Sequence, residues 1–467
     1  MLYLASEVAP YSKTGGLGDV AAALPVALAA RGHEVEVVTP RYGSVSTLGL
    51  GPVETPLTLP FPFAEKVARF RSLRLGARLK LTFVEEETYF GRHSHLYGAA
   101  DDALRFGFFA IAALSYSRVT GFDPDVVHLN DWQPGLAALA LRTSLKGRAL
   151  CVTTLHNLAY QGNFSPSDAP AVGVPWSFFN PQGVEFYGHF SFLKMALVYS
   201  DALTTVSPSY AIEIQTKEGG NGMDGLLRHR AADLTGILNG IDDQAWNPEQ
   251  DSHLAAPFSR DDISGKEQCT RALLKEFGLP VTPRGPVFGS VGRMAEQKGV
   301  ELWQQVVEQQ LHRGAYAVVL GSGDSHHEQE WKRLAQRHPN RLAVKIGFDE
   351  GIAHRVEAGS DFFVMPSKFE PCGLNQMYSL RYGTVPIVRA VGGLKDTVVD
   401  LKEPGATGIV FGPYSVEALV EACDRAWSLW NDAPQLFAVR RRGMALDFSW
   451  NRSAAQYEAV YAVRKTA

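Results

Sequence analysis

The 467-residue sequence predicts an α/β protein of two Rossmann-like, doubly wound domains facing a central cleft. Three observations carry that expectation. Short apolar runs alternate with helical periodicity from the first residues onward, and each run delivers a polar or glycine-bearing loop at its C-terminal end. After a polar stretch over 245–285, the same alternation restarts at Pro286. With 45% hydrophobic and 20% charged residues, the chain has apolar material for more than one core. That composition excludes a disordered, collagenous or coiled-coil protein.

The elements follow in order. Leu2 to Ala5 reads as a buried strand, followed by a loop through Pro10 and the Gly15-Gly16 pair. Val20, Leu24, Ala27 and Leu28 then recur at helical spacing, with Pro25 bending the helix and Arg31-Gly32 ending it. Val35 to Val38 completes a βαβ unit whose first loop carries glycines where a parallel sheet places ligands. Asp125 to Leu129 is a strand that runs into Asn130-Asp131-Trp132 and an Ala/Leu-rich helix. Ala149 to Leu155 runs into His156-Asn157, and Asp201 to Val206 ends at Ser207-Pro208-Ser209. These elements predict an N-terminal domain over 1–244.

Residues 245–285 are rich in Pro, Asp and Ser around one charged amphipathic helix near Lys266–Phe277, and read as a linker. The second domain, 286–445, opens with Val287 to Val291, the Gly292-Arg293 loop and a helix from Val300 to Gln310. Ala317 to Leu320 precedes Gly321-Ser322-Gly323-Asp324. Leu342 to Ile346, Phe362 to Met365 and Val385 to Val388 extend the sheet. Residues 446–467 predict a terminal helix, by the spacing of Ala454, Tyr457, Val460 and Tyr461, that packs back on the N-terminal domain.

Lys and Arg number 45 against 49 Asp and Glu, a net charge of −4. No polyanionic partner, nucleic acid or anionic membrane, is favoured by that balance, so any anionic ligand must be held by a local cluster. The four cysteines are too sparse for a disulfide framework or a zinc site. There is no signal-peptide pattern and no apolar run near the roughly 18 residues of a membrane helix, so the expectation is a soluble, cytoplasmic protein.

The strongest local cluster lies in the second domain. Gly292-Arg293 and Lys298-Gly299 share one loop between a strand and a helix, where glycines admit a ligand and two cations neutralise phosphate oxygens. Ser367-Lys368-Phe369-Glu370-Pro371-Cys372-Gly373-Leu374 ends another strand just before a helix, whose N–H groups bind anions. Glu370 either receives hydroxyl groups, as a sugar nucleotide would offer, or complements the helix dipole. Cys372 reads as a buried spacer rather than a nucleophile, and Asp324 as a helix cap rather than a ligand contact. In the first domain, Lys13-Thr14-Gly15-Gly16-Leu17-Gly18-Asp19 is the matching feature but not a dinucleotide fingerprint, since its glycine spacing differs. Lys13 could reach a phosphate, and Asp19 a sugar hydroxyl or the helix start. His156-Asn157 and Asp131-Trp132 end two more strands. The pairs His93/His95 and His326/His327 lack a third ligand, so no metal is assigned.

These motifs, with Val206-Ser207-Pro208 and Leu238-Asn239-Gly240-Ile241-Asp242, occur in an order that resembles the bacterial glycogen synthase and plant starch synthase family over almost the whole chain. The resemblance implies the GT-B glycosyltransferase architecture. It also implies transfer of glucose from ADP-glucose to the non-reducing end of an α-1,4-glucan, with retention of configuration and without metal or other cofactor. The same fold using UDP-glucose, or making a small glucoside, is the alternative.

Carried over residue by residue, Arg293 and Lys298 would bind the diphosphate and Glu370 the glucose hydroxyls. Backbone amides of Cys372, Gly373 and Leu374 would lie beside them, and His156 near the anomeric carbon. Lys13, Gly15, Gly16 and Gly292 would meet the donor, Asp19 and Asn239 the sugar, and Phe348 the base. The sequence departs from the family pattern at Lys368, Asn375, Phe348 and Asn130, where Arg, Thr, Tyr and His are common. Asp131, Trp132 and Tyr160 are acceptor-side candidates. In the tract with Trp176, Phe178, Phe179, Phe186, Tyr187 and Phe190, rings are either core residues or platforms for pyranose faces. Oligomeric state is left open.

Overall fold

The computed structural model describes residues 1–54, 56–60, 62–63, 65–92, 95–144 and 148–462. The chain divides into two compact units, one of Met1–Gly240 with Trp450–Ala467 and one of Ile241–Ser449.

The first unit is built on a nine-stranded sheet. Its strands are β1 (Leu2–Leu4), β2 (Val35–Pro40), β3 (Leu57–Thr58), β4 (Val67–Arg74), β5 (Leu79–Glu85), β6 (Val126–Asn130) and β7 (Leu150–Leu155), joined, after a separate sheet, by β11 (Ala202–Thr205) and β12 (Leu234–Gly236). The spatial order is β12-β11-β7-β6-β1-β2-β5-β4-β3. All pairs are parallel except the β3-β4-β5 edge, which is antiparallel. Strands β1, β2 and β6 are buried along their whole length, as expected of a parallel sheet covered on both faces. Going outward from β1, the chain winds one way through β2 and β5 and the other way through β6, β7 and β11. The β1/β6 boundary is therefore a topological switch point, the position where open α/β sheets present ligand loops. A small antiparallel sheet of β8 (Asn163–Phe164), β9 (Glu185–Phe186) and β10 (His189–Ser191) stands apart.

The terminal helix Trp450–Ala462 belongs to this unit. Arg31, just past the helix Gly16–Ala30, holds it with hydrogen bonds to Glu458 (2.7 Å) and Asn451 (2.8 Å). Tyr461 Oη meets the buried His128 Nδ1 at 2.8 Å.

The second unit carries β13 (Val287–Val291), β14 (Tyr316–Gly321), β15 (Leu342–Ile346), β16 (Phe362–Met365), β17 (Val385–Arg389) and β18 (Ile409–Phe411), all parallel. Their order, β15-β14-β13-β16-β17-β18, is the doubly wound order with its switch point between β13 and β16. Strand alternation feeds two cores: Phe288, Phe362 and Val364 on one face, Val287, Phe363 and Met365 on the other.

Residues 245–285 are not a linker. The amphipathic helix Ser264–Glu276 buries Leu273 and Leu274 in the same core as Ile352 and Val356. Lys266 Nζ, fully enclosed, donates to the carbonyls of Ala358 (2.8 Å) and Tyr382 (3.0 Å) and to Thr384 Oγ1 (2.6 Å). Trp246 lies between the rings of His354 and Tyr378, 3.7 Å from each. The boundary therefore falls at 240/241 rather than 244, and the return at 449/450 rather than 445. Polar composition described the segment's outer face and hid its inner one. Among the described residues, no helix is long and apolar enough to cross a membrane.

Candidate active site

In the second unit, two neighbouring strands, β13 and β16, deliver their loops side by side. After β13 the chain turns at Gly292, passes Arg293, and makes a short 3-10 turn over Glu296–Lys298 before the helix Val300–His312. Gly299 takes left-handed backbone, φ 65°, and a Cβ there would come within 2.0 Å of the Pro366 carbonyl oxygen. That close approach zips the two loops. Lys368 N–H donates to Gln297 O (2.9 Å), and Lys298 Nζ donates to Glu370 Oε2 at 2.6 Å. Glu370 is 4% exposed and also accepts from Ser367 Oγ at 3.1 Å. A buried carboxylate is thus held by one cation, an arrangement that is costly to break on either side. Arg293 contacts Gln297 Oε1 at 3.2 Å through Nη2 and otherwise stands exposed. Lys368 pairs with Glu296 on the surface.

Further glycines close this region. Cβ atoms at Gly321 and Gly323 would strike the carbonyls of Gly292 (2.0 Å) and Met294 (2.4 Å). At Gly392, φ 41°, a Cβ would lie 2.0 Å from the Glu370 carbonyl oxygen, and Gly393 N–H donates to that same oxygen at 3.2 Å. Sequence reasoning missed this Gly392-Gly393 pair, although adjacent glycines after an apolar run were the available signal. Asn375 Nδ2 donates to Val291 O at 2.6 Å, so its amide ties the helix Asn375–Arg381 to the end of β13. Cys372 is buried, which fits a spacer. Asp324 does not cap the helix Ser325–Arg337 with its side chain; Glu328 instead accepts from Gly323 N–H at 2.9 Å. Phe348 follows Gly347 after β15 and is 75% exposed.

In the first unit, the switch point again gathers the expected residues. The loop after β1 is organised by Glu7, a buried carboxylate that sequence reasoning missed. It accepts from Thr14 N–H (2.5 Å), Thr14 Oγ1 (2.6 Å), Gly15 N–H (3.3 Å) and Tyr97 Oη (2.6 Å). A Cβ at Gly15 or Gly16 would meet nothing within 4 Å among the described residues, so packing among these does not require either glycine. Both leave the backbone open to an approaching group. Lys13 Nζ pairs with Asp19 Oδ1 at 2.6 Å, both partly exposed.

At the ends of β6 and β7, Asn130 Nδ2 donates to Leu4 O (3.0 Å), which turns its Oδ1 toward Tyr3 Oη (3.0 Å) and His156 Nε2 (2.9 Å). An acceptor at that place assigns the imidazole proton to Nε2 and leaves the lone pair on Nδ1. Burial pulls the His156 pKa down to about 3, so the ring is neutral. Asp131, at φ 57°, accepts from His156 N–H (2.7 Å) and Asn157 N–H (3.4 Å). Burial pushes its pKa up to about 7 against the pull of those two donors.

The acceptor role expected of Trp132 does not fit its ring. The indole is 8% exposed among Phe106, Phe164 and Phe192, and a Cβ at Gly162 would come within 2.3 Å of it. Tyr160, by contrast, is 55% exposed on the loop leaving His156. In this first unit two buried amide oxygens lack partners among the described residues: Asn239 Oδ1, on the segment after β12, and Gln133 Oε1, beside Trp132. Buried unpaired acceptors are uncommon in folded proteins, which fits Asn239 as a group kept for a hydroxyl and adds Gln133 to the candidates. His93 lies outside the described residues, and among those described no group of three or more His, Cys, Asp or Glu side chains is placed to hold a metal ion.

Comparison with known proteins agrees along the chain. The family model for the starch synthase catalytic domain matches residues 1–229, and that for glycosyl transferases group 1 matches residues 275–436. Glycogen synthase of Anaeromyxobacter dehalogenans is 52% identical over 99% of this chain and 98% of its own length. That of Myxococcus xanthus is 49% identical over 99% and 98%. The catalytic domain of starch synthase IV from Arabidopsis thaliana, solved bound to ADP and acarbose, superposes with a TM-score of 0.91 at 34% identity, covering 98% of both chains. Sucrose-phosphate synthase from Thermosynechococcus elongatus shares the fold, with a TM-score of 0.62 at 19% identity over 98% of both chains.

Proposed function

Because the chain belongs to the glycogen synthase and starch synthase family of GT-B glycosyltransferases, we propose that it extends an α-1,4-glucan with glucose taken from ADP-glucose, retaining the anomeric configuration. The observation that carries this reading is the buried Glu370 held by Lys298 at the switch point of the second unit, with Arg293 exposed on the same loop. A carboxylate able to accept sugar hydroxyls beside two cations able to meet a diphosphate matches a sugar nucleotide better than either ligand half alone.

In the reaction, the C1–O bond to the diphosphate breaks and its electron pair stays on the phosphate oxygen. A new bond forms from C1 to the acceptor O4, and the O4 proton passes to the departing phosphate on the same face. Arg293 and Lys298 meet the negative charge that develops on that oxygen, the role a metal ion fills elsewhere. Lys13 and the Gly15-Gly16 backbone serve the donor, and Asp19, Asn239 and Glu370 serve sugar hydroxyls. His156 is neutral and so lies near the anomeric carbon as a polar group rather than a proton donor. Tyr160 serves the acceptor. The same reading places the enzyme in the cytoplasm with its nucleotide-sugar donor.

Phe348 offers the base a ring face and no hydrogen-bonding group, so base preference is the open part of the assignment. A panel of ADP-, UDP- and GDP-glucose with glycogen, scored by nucleotide release, is expected to show ADP-glucose as the preferred donor. A preference for UDP-glucose would overturn the base assignment, and no release from any donor would overturn the transferase.

A further inference from the structure

Three adjacent strands of the first unit converge on the side chain of Asn130. The residue ends β6 and is wholly buried, with Tyr3 and Leu4 of β1 on one side and His156, directly after β7, on the other. Its partners decide which way the amide lies. Leu4 O is a main-chain carbonyl and can only accept, so the NH2 group of Asn130 faces it at 3.0 Å. Leu4 is paired with Leu129 in the β1–β6 ladder, and that carbonyl does not rotate. Asn130 Oδ1 is therefore turned toward Tyr3 Oη (3.0 Å) and His156 Nε2 (2.9 Å). A hydroxyl in this place would rotate between donating and accepting. An imidazole, common here in the family pattern, presents either a proton or a lone pair. An amide held by a carbonyl presents His156 with an acceptor only.

The consequence lies at the other nitrogen of the ring. With the proton on Nε2, the lone pair sits on Nδ1, which meets no donor among the described residues. Burial keeps the ring neutral. As the C1–O bond to the diphosphate breaks, positive charge develops on the anomeric carbon. A lone pair facing that centre gains in strength as the charge grows, whereas an N–H dipole in its place would oppose it.

We infer that Asn130 is a positioning residue for the transfer: held by Leu4 O, it fixes His156 as the Nε2–H tautomer, so that an acceptor and not a donor faces the sugar. The inference rests on the glucan-transferase reading for what His156 faces. Asn130 itself touches no ligand and acts through the imidazole alone.

Nitrogen-15 NMR of the whole chain labelled at histidine, with the His156 signals assigned by their loss in His156→Gln, tests this without any donor present. The parent should show one neutral tautomer at neutral pH, protonated at Nε2. Tyr3→Phe removes one donor to Oδ1 but leaves Leu4 O to hold the amide, so the same tautomer should persist. Asn130→Ala should admit the second tautomer and lower kcat by about 10- to 100-fold, with the KM for ADP-glucose within about threefold of the parent. Asn130→Ser, which keeps a hydroxyl for Leu4 O, is the second variant and should behave alike where the alanine variant does not fold. A parent ring protonated at Nδ1, or a mixture of tautomers in the parent, would overturn the inference. So would loss of the single tautomer in Tyr3→Phe, which would put the hydroxyl and not the amide in control. An unmixed Nε2–H ring in the Asn130 variants, or mixed tautomers there with parental kcat or a loss confined to KM, would overturn it as well. A parent with the fixed tautomer that releases nucleotide from no donor would leave the tautomer lock standing and remove the transferase.

Discussion

Lys298 and Glu370 illustrate how single residues divide the work. Their 2.6 Å contact holds a buried carboxylate in place, while Arg293 remains exposed for a ligand. Replacing Arg293 with Ala removes a charge that acts on the leaving group, so kcat should fall by about 10²-fold or more. Lys298→Ala should fall at least as far, because it also leaves Glu370 buried without its cation. Steady-state kinetics with saturating glycogen checks both; near-parental kcat in the two variants would take them out of the mechanism. These residues were legible because charged side chains in Gly- and Pro-bearing loops after apolar strands have few structural reasons to be there. Glu7 was not, and Asn130 was legible only as a departure from the family pattern. Glu7 matters through Thr14, Gly15 and Tyr97, and Asn130 through Leu4, Tyr3 and His156, contacts that exist only once strands are assembled. Trp132 misled for the same reason, since an aromatic in a polar loop reads as exposed until Gly162 and three phenylalanines close around it.

Elements place those residues, and the decisive contacts between elements are made by backbone. Gly392 is the sharpest case, with φ 41° and the Glu370 carbonyl 2.0 Å from where a Cβ would sit. Gly392→Ala must move either its own loop or the segment carrying Glu370. It should destabilise the protein by about 2 kcal/mol or more and lower kcat by at least about tenfold. Thermal melting with parallel kinetics would detect both; parental values would mean that the loop yields at no cost. Strands β13 to β17 were legible from their apolar runs, whereas β4 and β5 were not: β4 (Val67–Arg74) places charged residues on its outer positions, and β5 (Leu79–Glu85), though largely buried, is interrupted by Lys80 and Thr82. The 245–285 segment was misread because its charged helix shows the sequence more polar positions than buried ones, although Leu273, Leu274 and Cys269 line one side.

For the molecule as a whole, both units share one pattern: loops bearing candidate residues leave the C-terminal ends of the strands where winding reverses, β1/β6 and β13/β16, while His156 follows β7, Asn239 β12 and Phe348 β15. That much followed from the strand pattern. What composition could not supply was the buried polar layer beneath the first site, and it has a consequence for stability. His128 and His156 are held by burial to pKa values of about 3, against 6.5 for an ordinary histidine. Below pH 6.5 the unfolded chain therefore takes up two protons that the folded unit refuses. Asp131 works in the opposite sense, since the folded unit keeps its proton up to about pH 7 and the unfolded chain loses it above 3.8. The net difference grows to one proton as the pH falls to 5, so these groups together should lower stability by about 1.4 kcal/mol between pH 6.5 and pH 5. His128→Gln removes one of the two histidines and should flatten that slope, as read from urea denaturation across the range. An unchanged slope would show that His128 does not titrate as its burial requires.

The central claim is the bond that the enzyme makes. Incubating the protein with ADP-[13C]glucose and maltoheptaose, and following the products by NMR, reads it directly. The account predicts one ADP released for each new α-1,4-linked glucose at the non-reducing end. Nucleotide release without chain growth, a β linkage, or growth at the reducing end would contradict it.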